Sequence, residues 1–281
     1  MSLKGIAKET LAILDEGKFL TPSGKVVNFK QEQLLAVKNT ILYTPEKAEQ
    51  LLVKENNNSS KKLPKIEVTD ETTQVAAKRL VQEENCNDLV LLNFASARNP
   101  GGGFINGAKA QEEDISRCSG LYPCLLTQPL YYEVNRRQES LLYTDHVIYS
   151  PKVPFFRSRN RELLEDFFLA SVITAPAPNA GQHIRHTEDS KARWLEVEQT
   201  LKHRAGIVLA IAEENKHRNL LLGAWGCGVF SNSPAMVADV FANWLANQQF
   251  LGCFDRVVFG IYDNSQEKRT FSAFQRRFSP S

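Results

Sequence analysis

No stretch of the chain comes near the roughly 20 uncharged apolar residues that a bilayer-crossing helix needs, so no membrane role is expected. Cysteine is scarce and unpatterned: Cys86, Cys118, Cys124, Cys227 and Cys253 are odd in number and show no CxxC spacing. Such a set predicts neither a zinc site nor a full disulfide framework, and it suits a reducing compartment. A concentrated charge of one sign is also missing. The formal net charge of +2 and pI near 8.2 are too mild for a nucleic-acid backbone binder, so no direct DNA binding is expected, while a small anionic ligand stays compatible. No apolar run follows Met1, where Lys4, Lys8, Glu9 and Asp15 interrupt the segment. An amphipathic helix is expected there instead of a signal peptide, and a cytoplasmic location with it.

What remains is ordinary in bulk. The 281 residues are 42% hydrophobic and 23% charged, enough to bury the core of one large α/β domain. Leu3 to Leu14 carries helical spacing with Gly17 as a stop. Phe19 to Phe29 reads as two short strands around Pro22, Ser23 and Gly24. Helices are predicted over Gln31 to Tyr43 and Pro45 to Lys54, then a polar loop from Asn56 to Lys62.

From Ile66 the rhythm changes to a strand, a helix from Thr72 to Glu84 with Thr72 as N-cap, and a near-continuous apolar strand from Leu89 to Ala95. Such a run fits a strand covered on both faces. Further strands are predicted at His146 to Ser150, Ala170 to Thr174, Leu220 to Ala224 and Arg256 to Tyr262. Helical stretches run from Glu188 to Arg218 and from Pro234 to Gln248. Strands alternating with helices predict an α/β layer fold on a mixed sheet. The chain divides into an N-terminal helical extension, residues 1–65, and a core, residues 66–281, together one structural unit.

One stretch stands out, Asn99 to Glu113, reading NPGGGFINGAKAQEE. Gly101, Gly102 and Gly103 let the backbone turn sharply and press against a ligand. Seven residues later come Gln111, Glu112 and Glu113. Adjacent residues on a helix differ by about 100°, so two neighbouring carboxylates can divide acid/base work from positioning. Acidic residues also favour the first turn of any helix, and glycine runs are commonly plain loops. The combination at this spacing is what argues for a site.

A second stretch, GAWGCGVFSNSP from Gly223 to Pro234, lies between a predicted strand and a predicted helix. Gly223, Gly226 and Gly228 let backbone N–H groups converge, and the helix aims its positive end at the same space, which favours an anion. Ser231 or Ser233 can cap that helix, with Pro234 in its first turn. No GK[ST] follows, so this is not a P-loop. Cys227 has no histidine nearby in sequence to activate it and reads as a small apolar filler. His183 and His186 stand at HxxH spacing, which is weak evidence against the four convergent ligands of a structural zinc. No metal or other cofactor is expected.

GGG, seven residues and QEE, flanked by NFASARNP, resemble the signature of the bacterial-type poly(ADP-ribose) glycohydrolases. The resemblance covers most of the chain, strongest from Leu89 to Tyr122 and Leu220 to Phe241. It implies a macrodomain-like core and the hydrolysis of ribose–ribose O-glycosidic bonds in poly(ADP-ribose), mainly from chain ends, releasing ADP-ribose. Poly(ADP-ribose), the ADP-ribose product and ADP-ribosylated proteins are the implied partners. Glu113 then resembles the catalytic glutamate, acid first and base second, and Glu112 the neighbour that bonds the ribose beside the scissile bond. Gly102, Gly103, Gly226, Cys227, Gly228 and Val229 would give backbone contacts, and Phe230 would pack on the distal ribose.

Asn99 and Gln111 either bond the ligand or steady the loop, and Asn93 is open in the same way. HVIYSPKVPFF and VITAPAPN, strand ends broken by prolines, are expected to wall the pocket. The alternatives are a binding module that reads ADP-ribose without cleaving it, for which the carboxylates would be superfluous, and a hydrolase of mono-ADP-ribosylated substrates.

Overall fold

A computed structural model describes residues 2–55, 61–158, 162–185 and 189–279. The N-terminal region opens with α1 (Leu3–Glu16), where Ser2 Oγ accepts the Gly5 N–H and Gly17 closes the last turn. The hairpin β1 (Lys18–Leu20) and β2 (Val26–Asn28) follows, pairing Phe19 with Val27. Then come α2 (Lys30–Lys38), β3 (Ile41–Tyr43) and α3 (Pro45–Leu52), the last capped by Thr44. The helix expected over Gln31 to Tyr43 therefore stops at Lys38. Ile41, Leu42 and Tyr43 are β-favouring residues and form an edge strand of the main sheet. Of the loop expected at Asn56 to Lys62, residues 56–60 lie outside the described residues.

The middle of the chain supplies β4 (Lys65–Thr69), α4 (Thr73–Lys78) with a π turn at Arg79–Glu83, and β5 (Leu89–Phe94). Thr72 stands at the N-cap of α4, yet its hydroxyl makes no capping bond. After a short 3-10 turn at Phe104–Asn106 come α5 (Gln111–Cys118), α6 (Leu121–Leu126) and α7 (Pro129–Arg137). The strand expected to end at Ser150 continues as β6 (Val147–Arg157), paired with an equally extended β7 (Leu163–Ala175). Pro151 has no N–H to give the ladder, and the pairing shifts register between Ser150 and Val153 to absorb it, as bulges do. Lys152 takes φ 47° there and its N–H bonds Ser171 Oγ at 3.1 Å.

The chain ends with α8 (Ala180–His183), α9 (Ser190–Glu214), β8 (Asn219–Leu222), α10 (Pro234–Leu245), β9 (Arg256–Gly260) and α11 (Arg269–Phe278). The seven-stranded sheet has the order β3-β6-β7-β5-β8-β9-β4. β7, β5, β8, β9 and β4 run parallel, β6 runs against them, and β3, antiparallel to β6, points the same way as the parallel set. Side chains alternate across a strand, and β5 shows the result. Val90 and Leu92 face the cluster built with α9 and α10, while Leu89 and Leu91 face the one built with α4 to α7. A satellite cluster of Ile13, Phe19, Val27, Phe29 and Phe156 fastens the N-terminal hairpin to β6.

Candidate active site

β5, β7 and β8 are parallel neighbours, so the loops leaving their carboxyl ends open at one edge of the sheet. Pockets in open α/β sheets form there, where the chain leaves a central strand to either side. The Ser96–Gly103 loop follows β5, and the Gly223–Ser233 loop follows β8.

α5 begins at Gln111 and holds the first loop in three ways. Gln111 Nε2 donates to the Leu92 carbonyl at 2.8 Å and its Oε1 accepts the Phe94 N–H at 2.8 Å. Its Nε2 also reaches Thr73 Oγ1 at 3.1 Å, so this amide ties helix to strand from both ends. Glu112 is 2% exposed; one carboxyl oxygen accepts the Ser96 N–H at 2.7 Å and the other the Asn93 amide at 3.1 Å. Glu113 Oε1 accepts the Gly103 N–H at 2.9 Å. Its second oxygen makes no hydrogen bond among the described residues.

Burial pushes the Glu112 carboxyl up to about 8, and the nearby Glu113 adds to the rise. The N–H groups of Ser96 and Gly101 and the Asn93 amide pull the other way. Desolvation thus outweighs three donors, as expected for a carboxylate removed from water. Gly102 sits at φ 59°, and a Cβ there would lie 2.3 Å from Glu113 Oε1 and 3.3 Å from Glu112 Oε2. The glycine is what allows the loop to lie against both carboxylates.

The second loop is wound on Gly226, at φ 72°, where a Cβ would meet Asn232 Nδ2 at 2.3 Å and Ala177 at 2.5 Å. Asn232 is buried and its amide donates to the carbonyls of Pro178, at 2.8 Å, and Gly226, at 3.1 Å. Trp225, fully buried, donates to the Ala175 carbonyl at 3.1 Å. Behind the loop Ser233, not Ser231, caps α10 by accepting the Met236 N–H. The backbone N–H groups of Gly228, Val229 and Phe230 make no hydrogen bond among the described residues. Free N–H groups in front of a twelve-residue helix form an anion cradle.

The predicted residues fall into these two loops with unequal roles. Val229 is 85% exposed. Burial pushes the Cys227 thiol up to about 12, which leaves it a filler and no thiolate nucleophile. Phe230 lies against Tyr143, ring centroids 6.0 Å apart, and its carbonyl accepts the Gly181 N–H at 3.0 Å. Asn99 is exposed; its N–H bonds Ser96 Oγ at 3.1 Å and its carbonyl accepts the Gly102 N–H at 3.0 Å, the turn-forming use of its sequence position. Ser96, Asn232 and Tyr143 were not among the predicted residues. His183 bonds Glu196 at 2.7 Å, and His186 lies outside the described residues. Among the described residues no group of three or more His, Cys, Asp or Glu is placed to hold a metal.

Residues 7–158 match the family model described as the microbial-type PARG catalytic domain, that is, poly(ADP-ribose) glycohydrolase. The chain belongs to this family. A search of curated protein sequences gives no match. Among solved structures, the poly(ADP-ribose) glycohydrolase of Thermomonospora curvata is 43% identical with TM-score 0.92, covering 98% of this chain and 99% of its own. The same enzyme bound to the inhibitor ADP-HPD aligns at TM-score 0.89 and 42% identity, with the same coverage. The Deinococcus radiodurans enzyme in complex with ADP-ribose is 44% identical with TM-score 0.81, covering 88% of this chain and 97% of its own. This glycohydrolase therefore shares with them the sheet and its flanking helices. No helix among its described residues is long and apolar enough to cross a membrane.

Proposed function

We propose that this glycohydrolase cleaves the ribose–ribose bond at the ends of poly(ADP-ribose), free or attached to ADP-ribosylated proteins, with Glu113 as acid and then base. The observation that carries the assignment is the posture of the two glutamates. Glu112 is buried with both oxygens bonded, while Glu113 has one oxygen fixed by Gly103 and the other unoccupied among the described residues. A positioning group and a proton-transfer group would be divided in this way.

The terminal diphosphate sits on the N–H groups of Gly228, Val229 and Phe230, which places the distal ribose between that loop and Glu113. The departing 2'-oxygen would leave as a costly alkoxide unless it gains a proton as the C1–O bond stretches. Glu113 delivers that proton from its unbonded oxygen. The bonding electrons go to the 2'-oxygen, and the ribosyl carbon becomes oxocarbenium-like, stabilised by the negative diphosphate. Glu113, now a carboxylate, takes a proton from water as the water oxygen bonds to the same carbon, and the starting state returns. One carboxyl serves as acid and then base, as in retaining glycosidases, but here no second carboxylate acts as nucleophile.

Gln111 and Asn99 act as positioning residues in this scheme, since their bonds run to the strand and the turn. Five cysteines, odd in number and without CxxC spacing, favour a reducing, cytoplasmic setting.

The test is release of ADP-ribose from purified poly(ADP-ribose), with Glu113→Gln assayed beside the wild type and ADP-ribose affinity measured on both. Loss of general acid–base catalysis costs about 10²- to 10⁴-fold, so release should fall by about 10³-fold while affinity stays within about threefold. Binding without release by the wild type would make the chain an ADP-ribose reader.

A further inference from the structure

Most arginines around the core are held by carboxylates: Arg79 by Glu71 and Glu84, Arg117 by Asp114, Arg204 by Asp145, Arg256 by Glu67 and Glu84. Arg98 and Arg136 differ. Both are exposed, and neither is in an ion pair among the described residues. They also touch: Arg136 Nη1 donates to the Arg98 carbonyl at 2.7 Å, so the end of α7 is fastened to the loop after β5. That loop carries the site. Ser96, two residues before Arg98, gives its N–H to Glu112, while its hydroxyl accepts the N–H groups of Arg98 and Asn99. Two unneutralised guanidiniums thus stand on the rim of the loop that lies against Glu112 and Glu113.

We propose that Arg98 and Arg136 form a second anion subsite, which takes the diphosphate of the next ADP-ribose unit, on the leaving-group side of the scissile bond. The assignment rests on the hydrolase reading above. In that reading the terminal diphosphate occupies the cradle after β8, leaving the cations after β5 for another phosphate. Only a ribose ring and one methylene separate the departing 2'-oxygen from the next 5'-phosphates, a span that an arginine side chain on the rim can match. Guanidinium is the group suited to forked bonding of phosphate oxygens. The Arg136 bond to the Arg98 backbone leaves the Arg98 side chain unattached and keeps its base in place. The subsite binds polymer and not the product, so it favours substrate over released ADP-ribose.

The experiment compares Arg98→Gln, Arg136→Gln and the double variant with a control of equal charge change, Lys38→Gln with Lys202→Gln. KM and kcat for ADP-ribose release are measured at about 20 and about 200 mM salt, with ADP-ribose affinity alongside. Exposed charge pairs weaken as the Debye length shortens. The expected result is KM raised about three- to fivefold by Arg98→Gln and about tenfold by the double variant at low salt, with less effect at high salt. kcat and ADP-ribose affinity should stay within about twofold. Polymer affinity is also measured in the Glu113→Gln background, where both arginines should matter by the same factors even if the wild type releases nothing. Absence of release would thus overturn the hydrolase reading on its own. Polymer affinity and KM no different from the lysine control, or an equal loss of ADP-ribose affinity, would overturn the subsite.

Discussion

A methyl group placed on Gly102 would run into the carboxylates of Glu113 and Glu112, whereas one on Gly228 would meet nothing within 4 Å. The two glycine-rich loops look alike in sequence, yet the first presses against the protein's own acids and the second stands open at Gly228. In the loop after β5, glycine is required by what the protein keeps beside it. In the loop after β8, Gly226 is packed against Asn232 and Ala177 while Gly228 stands clear, so the requirement is split between winding the loop and letting a ligand approach. In the proposed function the first loop serves catalysis and the second serves binding, and substitutions should separate the two.

Gly102→Ala should have the largest effect within this comparison. A non-glycine residue at positive φ costs about 1–2 kcal/mol, and Glu113 must move away from a contact of 2.3 Å. A displacement of about 1 Å can cost about 100-fold in rate, so kcat should fall by about that factor with ADP-ribose affinity changed less than fivefold. Gly226→Ala should do the reverse. Its Cβ meets buried groups, so the cradle distorts, ADP-ribose affinity drops by more than tenfold and kcat at saturation changes little. Steady-state kinetics with calorimetric ADP-ribose titration would separate them. Equal kcat losses in both variants would end the division of labour.

A smaller effect follows from Glu112. Its carboxyl ordinarily titrates at 4.5 and is pushed up to about 8 by burial. Between those values the folded protein holds a proton that the unfolded chain has lost, so stability falls as pH rises. The contribution is whole below 4.5 and gone once pH passes 8. Glu112→Gln removes this titration, and the decline in Tm from about pH 5 to about pH 8 should be shallower than in the wild type. Parallel Tm profiles would show instead that desolvation is offset in the folded state by the Ser96 and Asn93 donors.

The sequence revealed the two loops because their chemistry is local: a glycine run, a carboxylate pair seven residues on, and a glycine-rich turn between an apolar strand and a helix. The central strand β5 was equally plain from its unbroken apolar run. Less was visible wherever a residue's role depends on a distant partner. Ser96 and Asn232 are ordinary loop residues until the fold brings Glu112 and Pro178 to them. β3 is only three residues long and continues the predicted helix without a stop signal. β6 runs through Pro151 and Pro154 because the bulge at Lys152 and the partner strand, both tertiary facts, take up the missing donor. Proline punctuation is a local rule, and here the sheet overrides it.

Gly228 offers the finest test of the comparison. Open space around its Cβ position and the absence of a positive φ in its backbone mean that alanine can be accommodated without moving the fold. Gly228→Ala should therefore leave Tm within about 1 °C, since substitutions away from packed or strained features usually stay within about 0.5 kcal/mol. Its methyl group would nevertheless stand beside the N–H groups of Gly228 and Val229, where the proposed function seats the diphosphate. ADP-ribose affinity should weaken about three- to tenfold, with kcat within twofold of wild type on the order of assay error. A fall in Tm comparable to that of Gly226→Ala would mean that Gly228 serves the winding of the loop. Unchanged affinity with unchanged Tm would move the phosphates away from Gly228 toward Phe230 and the first turn of α10.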